Sequence, residues 1–549
     1  MTAGVPSPGR PAASSPLFPA ALALGTTAVL FLVQYRLGLN LWDEGFLWYG
    51  TQRTLGEIPL RDFSSYEPGR YYWSAFLMRL WGSDGVLGLR AAVAVFQCIG
   101  VFLWFLLLRQ GCRQRSLLLW CAATLTLAVW MFPRHKLFDI TISIAFMGVL
   151  AFLLQRPSSG RYFLSGLVVG IVAFFGRNHA AYGLAANLLA LLFLRVRSEP
   201  GPRLSRALGC WLTGIAVGLL PFLPLLAMAP GFTRAFLDTL AQTAQFAEGD
   251  LSKLPAPWPW LAVSATRAPL AMLQDLTRGL FFLAVFAAGF LGCGLVFWQR
   301  LRRLPTPPVL AAASFTALPY AHHAYFWPDS SHLAQSVFPF LTCAFVLLTS
   351  RPGRLRQLLV ALLCAASLLV MGPMQPFWRD KAGGPWIETM VGGEMLKVQP
   401  RLASDLKAFE ALVEQYAPGG RSFLVAPSWP GAYAVFRRQS PMWDSYPLLP
   451  RGEQFERQEL ARIKAAAPGF ALLIDFPLAG RDELRFRNTS MTISSRLKLR
   501  TFPPLIVCSS CHKRTPGNGA EAMSGTLRRT ACAQPVHAGS TGRTRRKTA

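Results

Sequence analysis

The sequence predicts an all-α polytopic membrane protein with a small α/β unit after its last span. Three observations carry this. The 549 residues are 52% hydrophobic and only 15% charged, outside the usual soluble range. Membrane-length apolar runs recur over the first two thirds of the chain. Arginines collect in alternate connectors between those runs, as cytoplasmic loops do.

Apolar stretches of roughly 17–25 residues read as spans. They fall near 17–35, 86–108, 117–133, 137–154, 162–178, 180–194, 207–228, 279–298, 308–325, 334–349 and 357–373, eleven in all. A Pro/Ser/Ala arm at 1–16 precedes them and is expected to be disordered. The first run exceeds the h-region of a signal peptide and lacks a small-residue cleavage site, so it reads as a retained anchor. The first outside loop, 36–85, is long enough for two helices, at 43–55 and 70–81. Their aromatics (Trp42, Phe46, Trp48 and Tyr49; Tyr71, Tyr72, Trp73, Phe76 and Trp81) suit helices lying along the outer surface. Arg177, Asn178 and His179 alone connect the fifth and sixth spans. A second outside loop, about 229–278, carries Pro255-Ala256-Pro257-Trp258-Pro259-Trp260.

The basic connectors set the orientation: Arg109, Arg113 and Arg115; Arg156 and Arg161; Arg195, Arg197, Arg203 and Arg206; Arg300, Arg302 and Arg303; Arg351, Arg354 and Arg356. With these inside, the first loop and everything after about 374 lie outside. Residues 17–373 thus form the membrane domain. Residues 374–487 read as an extracytoplasmic α/β domain, with helices at 402–416 and around 452–466 and strands at 422–427 and 470–475. From 488 to 549 periodicity is lost, and the segment reads as a disordered basic tail or a frameshifted end.

The net charge of +28 does not indicate nucleic acid. Fifteen arginines belong to the connectors, and residues 488–549 hold eleven Lys/Arg against Glu521 alone. No basic face with aromatic platforms is visible. Seven of the ten cysteines lie in or beside spans as small apolar packers, and 374–487 has none, so no disulfide framework is expected there. In the tail, Cys508-Ser509-Ser510-Cys511-His512 fits a haem-attachment pattern, but no apolar core surrounds it and it reads as chance.

Carboxylates beside a bilayer are costly and usually serve chemistry. Leu41-Trp42-Asp43-Glu44-Gly45 follows the first span directly. Gly56-Glu57-Ile58-Pro59-Leu60-Arg61-Asp62-Phe63 and Tyr66-Glu67-Pro68-Gly69-Arg70-Tyr71 come next. The plain alternative is a pair of acids stabilising a helix N-terminus. A second cluster, Pro133-Arg134-His135-Lys136-Leu137-Phe138-Asp139, sets cations on the outside against the charge rule; they either snorkel or bind an anion, with Arg177 and His179 in reach. A third, His322-His323 through Asp329 and His332, offers imidazole and carboxylate, without the spacing of a metal motif.

The Asp-Glu pair after the first span, with Gly-Glu-x-Pro-x-Arg-Asp-Phe and Tyr-x-Pro-Gly-x-Tyr, resembles the membrane-embedded GT-C glycosyltransferases, nearest the protein O-mannosyltransferase and aminoarabinose-transferase group. The resemblance covers about 17–373. It implies a sugar donor on a polyprenyl phosphate, a glycan, lipid or protein acceptor, and transfer with inversion. By that resemblance Asp43 is the base, with Glu44 supporting it. Asp62, Glu67, Arg70, Arg134, Lys136, Asp139, Arg177, Asp329 and His332 are then expected to contact substrate, the cations taking the carrier phosphate. No metal ligand set is expected, although the family leaves a divalent ion possible. Arg/Ala/Gly/Pro-rich usage suggests a bacterial inner membrane, with the site facing the periplasm. A transporter or lipid flippase is the alternative, but it would show repeated halves and midplane polar groups; an inactive relative serving in assembly is another.

Overall fold

The computed structural model describes residues 16–112, 116–196, 201–247, 256–262, 268–350, 353–378, 385–447, 451–475 and 505–509. The arm at 1–15 and most of the tail lie outside them.

The chain is mostly helical. Its helices are α1 (Leu17–Gln34), α2 (Asp43–Arg53), α3 (Pro68–Leu80), α4 (Val86–Gly111), α5 (Leu117–Trp130), α6 (Leu137–Gln155), α7 (Ser159–Phe175), α8 (Arg177–Arg195), α9 (Leu204–Gly218), α10 (Leu223–Met228), α11 (Phe232–Ala247), α12 (Pro269–Leu301), α13 (Pro308–Phe326), α14 (Ser330–Thr349) and α15 (Arg354–Met371). Every apolar stretch expected to span falls on a helix. Among the described residues, seven helical segments are long and apolar enough to cross a bilayer, which makes this an integral membrane protein.

Local chemistry explains the departures. Pro221 and Pro224 cannot continue α9, so a 3-10 turn (Leu220–Phe222) separates it from α10. Helix α12 runs 33 residues from Pro269, well before the expected start at 279. Helices α7 and α9 meet through Gly166, Gly170, Gly214 and Gly218, where a methyl group would strike the facing backbone. Paired small residues four apart allow this close approach. Helix α6 is the most enclosed of the candidate spans, with 78% of its apolar window buried.

Beyond residue 386 come β1 (Ile387–Val391), β2 (Glu394–Val398), α16 (Pro400–Tyr416), β3 (Leu424–Ala426), α17 (Gly431–Val435), α18 (Glu453–Ala466), β4 (Ala471–Asp475) and β5 (Leu505–Ser509). Strands β1 and β2 form an antiparallel hairpin through Gly392 and Gly393, both at positive φ. Strands β3, β4 and β5 form a parallel sheet in that order. Strand β5 corrects the expectation of a wholly disordered tail: Leu505-Ile506-Val507 is a short β-forming run, and it pairs with Ala471, Leu472 and Leu473. The second half of the Cys-x-x-Cys-His stretch lies outside the described residues.

The α/β segment sits on the first loop. Lys397 bonds through its backbone to Arg36 and Gly38, Glu394 accepts from the Leu87 amide at 2.8 Å, and Trp443 Nε1 donates to the Arg61 carbonyl at 3.0 Å. This corrects the picture of α2 as a surface-lying helix. Phe46, Trp48 and Tyr49 are buried, with Trp48 against Gly392, whereas Phe76, Leu80 and Trp81 at the end of α3 remain exposed.

Candidate active site

Helix α2 begins at Asp43 and Glu44, so successive residues point in different directions and meet opposite environments. Glu44 turns inward and is 4% exposed. Arg90 of α4 grips both of its oxygens, from Nε at 2.8 Å and Nη2 at 2.9 Å, and Arg134 Nη1 reaches Oε1 at 3.3 Å. Burial would raise this carboxyl, but the two guanidiniums and the Asn40 amide prevail and hold it well below the usual carboxylate range. A carboxylate so held does not take up a proton near neutral pH.

Asp43 turns outward, and its side chain is 30% exposed. Its Oδ2 lies 3.6 Å from His135 Nε2, and its Oδ1 lies 3.5 Å from the Tyr66 hydroxyl. Burial, then the negative charge of Asp43, pushes the Tyr66 phenol well above its ordinary value, so it stays protonated and able to donate. The face of Tyr66 also carries two cations, Arg70 at 5.1 Å and the Lys136 ammonium at 5.5 Å. Lys136 belongs to the 3-10 turn Arg134–Lys136 that leads into α6.

Most of the expected site residues are brought near one another, and they are engaged in pairs. Arg134 donates to Glu44 and to the Gln34 and Leu37 carbonyls. Arg70 holds both oxygens of Asp139, whose Oδ1 also meets His179 Nε2 at 2.8 Å. Arg177 Nε meets Glu67 Oε1 at 2.9 Å. Asp329 caps α14, accepting from the His332 amide at 2.8 Å, and its Oδ1 lies 3.0 Å from His332 Nδ1. Asp62 is bridged twice by Arg61 at 2.8 Å and accepts from the Ile58 amide, closing a tight turn.

These pairings show which of the expected site residues already have a partner within the protein. Arg134 and Arg70 each face a buried carboxylate, Glu44 and Asp139. Asp62 shapes its loop. Asp43 and Lys136 stand apart from this pairing. The Lys136 side chain makes no hydrogen bond or ion pair among the described residues, and its ammonium lies over the Tyr66 ring.

Three residues escaped the sequence reading. Arg90 is a lone arginine inside an apolar run, which is itself a signal of an inward-facing pair. His135 stood in the quoted cluster without a role. Tyr446 has no local signal: it comes from the distant α/β segment and packs on Trp42 at 6.1 Å and Phe46 at 5.5 Å.

Histidines continue the polar interior. His179 Nδ1 meets the Tyr320 hydroxyl at 2.9 Å, and the rings of His179, His323 and His332 follow one another at 5.2 and 5.3 Å. Their nitrogens are directed at Asp139, Tyr320, Gln335 and Asp329 rather than at one point. Among the described residues no group of three or more His, Cys, Asp or Glu is placed to hold a metal ion. The donors here do not fit a divalent ion.

No protein-family model matches the sequence, and no curated protein is similar to it at a significant level. Two solved structures are similar in backbone. ArnT from Cupriavidus metallidurans, bound to undecaprenyl phosphate, aligns at 15% identity and a TM-score of 0.44, over 77% of this chain and 85% of its own. The Archaeoglobus fulgidus oligosaccharyltransferase in complex with Zn and sulfate aligns at 12% identity and a TM-score of 0.40, over 82% of this chain and 66% of its own.

Proposed function

We propose that the protein is an inverting membrane glycosyltransferase that moves a sugar from a polyprenyl-phosphate donor to an acceptor hydroxyl. The observation that carries this reading is the pairing pattern: around Tyr66, the other expected charges are spoken for, and the outward carboxylate of Asp43 and the ammonium of Lys136 are left to meet substrate. A base beside a cation, at the outer end of a helical bundle, suits attack by a hydroxyl with departure of a phosphate.

In the step itself, the acceptor oxygen bonds to the anomeric carbon as the bond from that carbon to the carrier phosphate breaks. The acceptor proton passes to Asp43, and the electron pair leaves with the phosphate. Displacement from the face opposite the carrier inverts the centre. Lys136 stabilises the charge that develops on the departing phosphate. His135 and the Tyr66 hydroxyl hold Asp43 in place. Glu44, clamped by Arg90 and Arg134, anchors the start of α2 and takes no proton.

All eleven apolar helices cross the membrane in this reading, the basic connectors lie in the cytoplasm, and Asp43 faces the periplasm of a bacterial inner membrane. The test is made in the host. Loss of the gene should remove one sugar from an envelope glycan or glycolipid, read by mass spectrometry. The wild-type gene should restore it and an Asp43→Asn gene should not. Unchanged envelope glycans in the deletion strain would refute the proposal.

A further inference from the structure

Asp43 opens onto a wall of aromatic rings built by two distant parts of the chain. Trp42 precedes it, Phe46 lies one helical turn on and shares its face, and Tyr66 touches it from the loop. Tyr446 of the α/β segment closes the ring, packed edge-on against Trp42 at 6.1 Å and tilted on Phe46 at 5.5 Å; Phe46 in turn meets Tyr66 at 5.2 Å. Burial, followed by the charge of Asp43, raises the Tyr446 phenol well above its ordinary value. Its hydroxyl therefore stays protonated, and it has no hydrogen-bond partner among the described residues.

The segment carrying Tyr446 is fixed. Ser440 N bonds to the Tyr49 hydroxyl at 2.7 Å, Ser64 N bonds to the Trp443 carbonyl at 2.8 Å, and Asp444 N bonds to Glu459 Oε2 at 3.0 Å. Tyr446 is thus held on the α/β side of Asp43. Lys136 stands over the face of Tyr66, 5.5 Å from its ring centre.

We infer that the acceptor hydroxyl belongs to a carbohydrate, whose pyranose ring packs on Tyr446 so that one hydroxyl reaches Asp43. This rests on the proposed transfer reaction and names its acceptor class. Ring faces complement the C–H side of a pyranose, and a carboxylate with an unpartnered phenol complements its hydroxyls. A serine or threonine of a protein would offer one small hydroxyl and no ring to pack on Tyr446.

Binding tests it independently of turnover. The full chain in nanodiscs is examined by saturation-transfer NMR with methyl glucoside, mannoside, galactoside and N-acetylglucosaminide, and separately with a Ser/Thr-containing peptide. At least one pyranoside should receive saturation at its ring C–H protons. Tyr446→Ala should weaken that binding about tenfold through the lost apolar contact, while Tyr446→Phe should largely keep it. Asp43→Asn should retain pyranoside binding and lose transfer. Pyranoside binding unaltered in Tyr446→Ala, no ring saturation in the wild type, or Tyr446-dependent binding of the peptide alone would each overturn the inference. Transfer surviving in Asp43→Asn would instead sink the proposed base and leave the binding result to judge the acceptor.

Discussion

His135 stands behind Asp43, its Nε2 3.6 Å from the Oδ2 of an otherwise outward carboxylate, and the imidazole is buried where the carboxylate is not. In the proposed reaction the pair would divide the work of one base: Asp43 would meet the acceptor, and His135 would fix which oxygen does so.

If Asp43 is the base, Asp43→Asn keeps the shape but loses the proton acceptor. Turnover should fall by roughly 10²–10⁴, with donor binding little changed. His135→Ala should cost less, because the carboxylate keeps its basic oxygens and loses only the imidazole 3.6 Å behind it. His135→Gln should partly restore rate. Wild-type turnover in His135→Ala would remove His135 from the site.

Lys136 and Arg134 are two residues apart and should respond differently. Lys136→Ala removes an unpaired cation worth roughly 1.5–3 kcal/mol of charge-assisted bonding, so donor KM should rise and kcat fall, with folding intact. Exchange to Arg should recover part of this, since charge is kept and the contact geometry changes. Arg134→Ala should instead lower thermal stability, measured by the melting of the detergent-solubilised protein. A Lys136→Ala enzyme with wild-type kinetics would assign that cation to the membrane surface.

Glu44 makes the matching prediction for stability. Glu44→Gln leaves Arg90 and Arg134 buried without their counter-charge, a loss of about 3–5 kcal/mol where a buried pair is broken on one side. Tm should drop far more than in Asp43→Asn. The pH dependence follows from the lowered folded-state value of Glu44. Its contribution is present above the unfolded carboxylate range and is lost only as pH falls through the depressed value, so it should be intact at pH 5. A wild-type-like Tm in Glu44→Gln would show that the clamp is dispensable.

The apolar runs were legible because run length is a local property, and each fell on a helix, seven of the helical segments among the described residues being long and apolar enough to cross a bilayer. The α/β strands and helices at 402–475 were legible for the same reason. Pairing was not. Whether Arg70 serves Asp139 or a phosphate depends on which helices become neighbours, and the motif itself says nothing of that. The burial of Trp48 and the arrival of Tyr446 beside Trp42 depend on chain segments roughly 340 to 400 residues further on. What the sequence could have supplied was Arg90, isolated in an apolar run and therefore in need of an acid.

The docking of the α/β segment on the first loop has a tight point between two glycines. A Cβ on Gly431 would stand 2.8 Å from the Gly45 Cα, and the Gly431 amide bonds to the Leu41 carbonyl at 2.9 Å. Gly431→Ala should force α2 and α17 apart, costing about 1–3 kcal/mol as other overpacked contacts do. Because Tyr446 rides on the same segment, acceptor KM should rise more than donor KM. A fall in Tm with both KM values unchanged would separate this contact from the site.

Orientation can be read directly by chemical labelling in a cysteine-free background. Gly56 in the first loop and Glu388 on β1 are exposed, Gly56 has nothing within 4 Å of an added Cβ, and Ser205 is exposed at the start of α9. If the arginine-rich connectors are cytoplasmic, Gly56→Cys and Glu388→Cys should react with a membrane-impermeant maleimide in intact spheroplasts, and Ser205→Cys only after permeabilisation. Because Glu388 and Gly56 lie on the segments that meet around α2, they must label on the same side for Asp43 and Tyr446 to share a site. Labelling of Ser205→Cys in intact spheroplasts, with Gly56→Cys protected, would turn the protein over and place the proposed transfer on the cytoplasmic face.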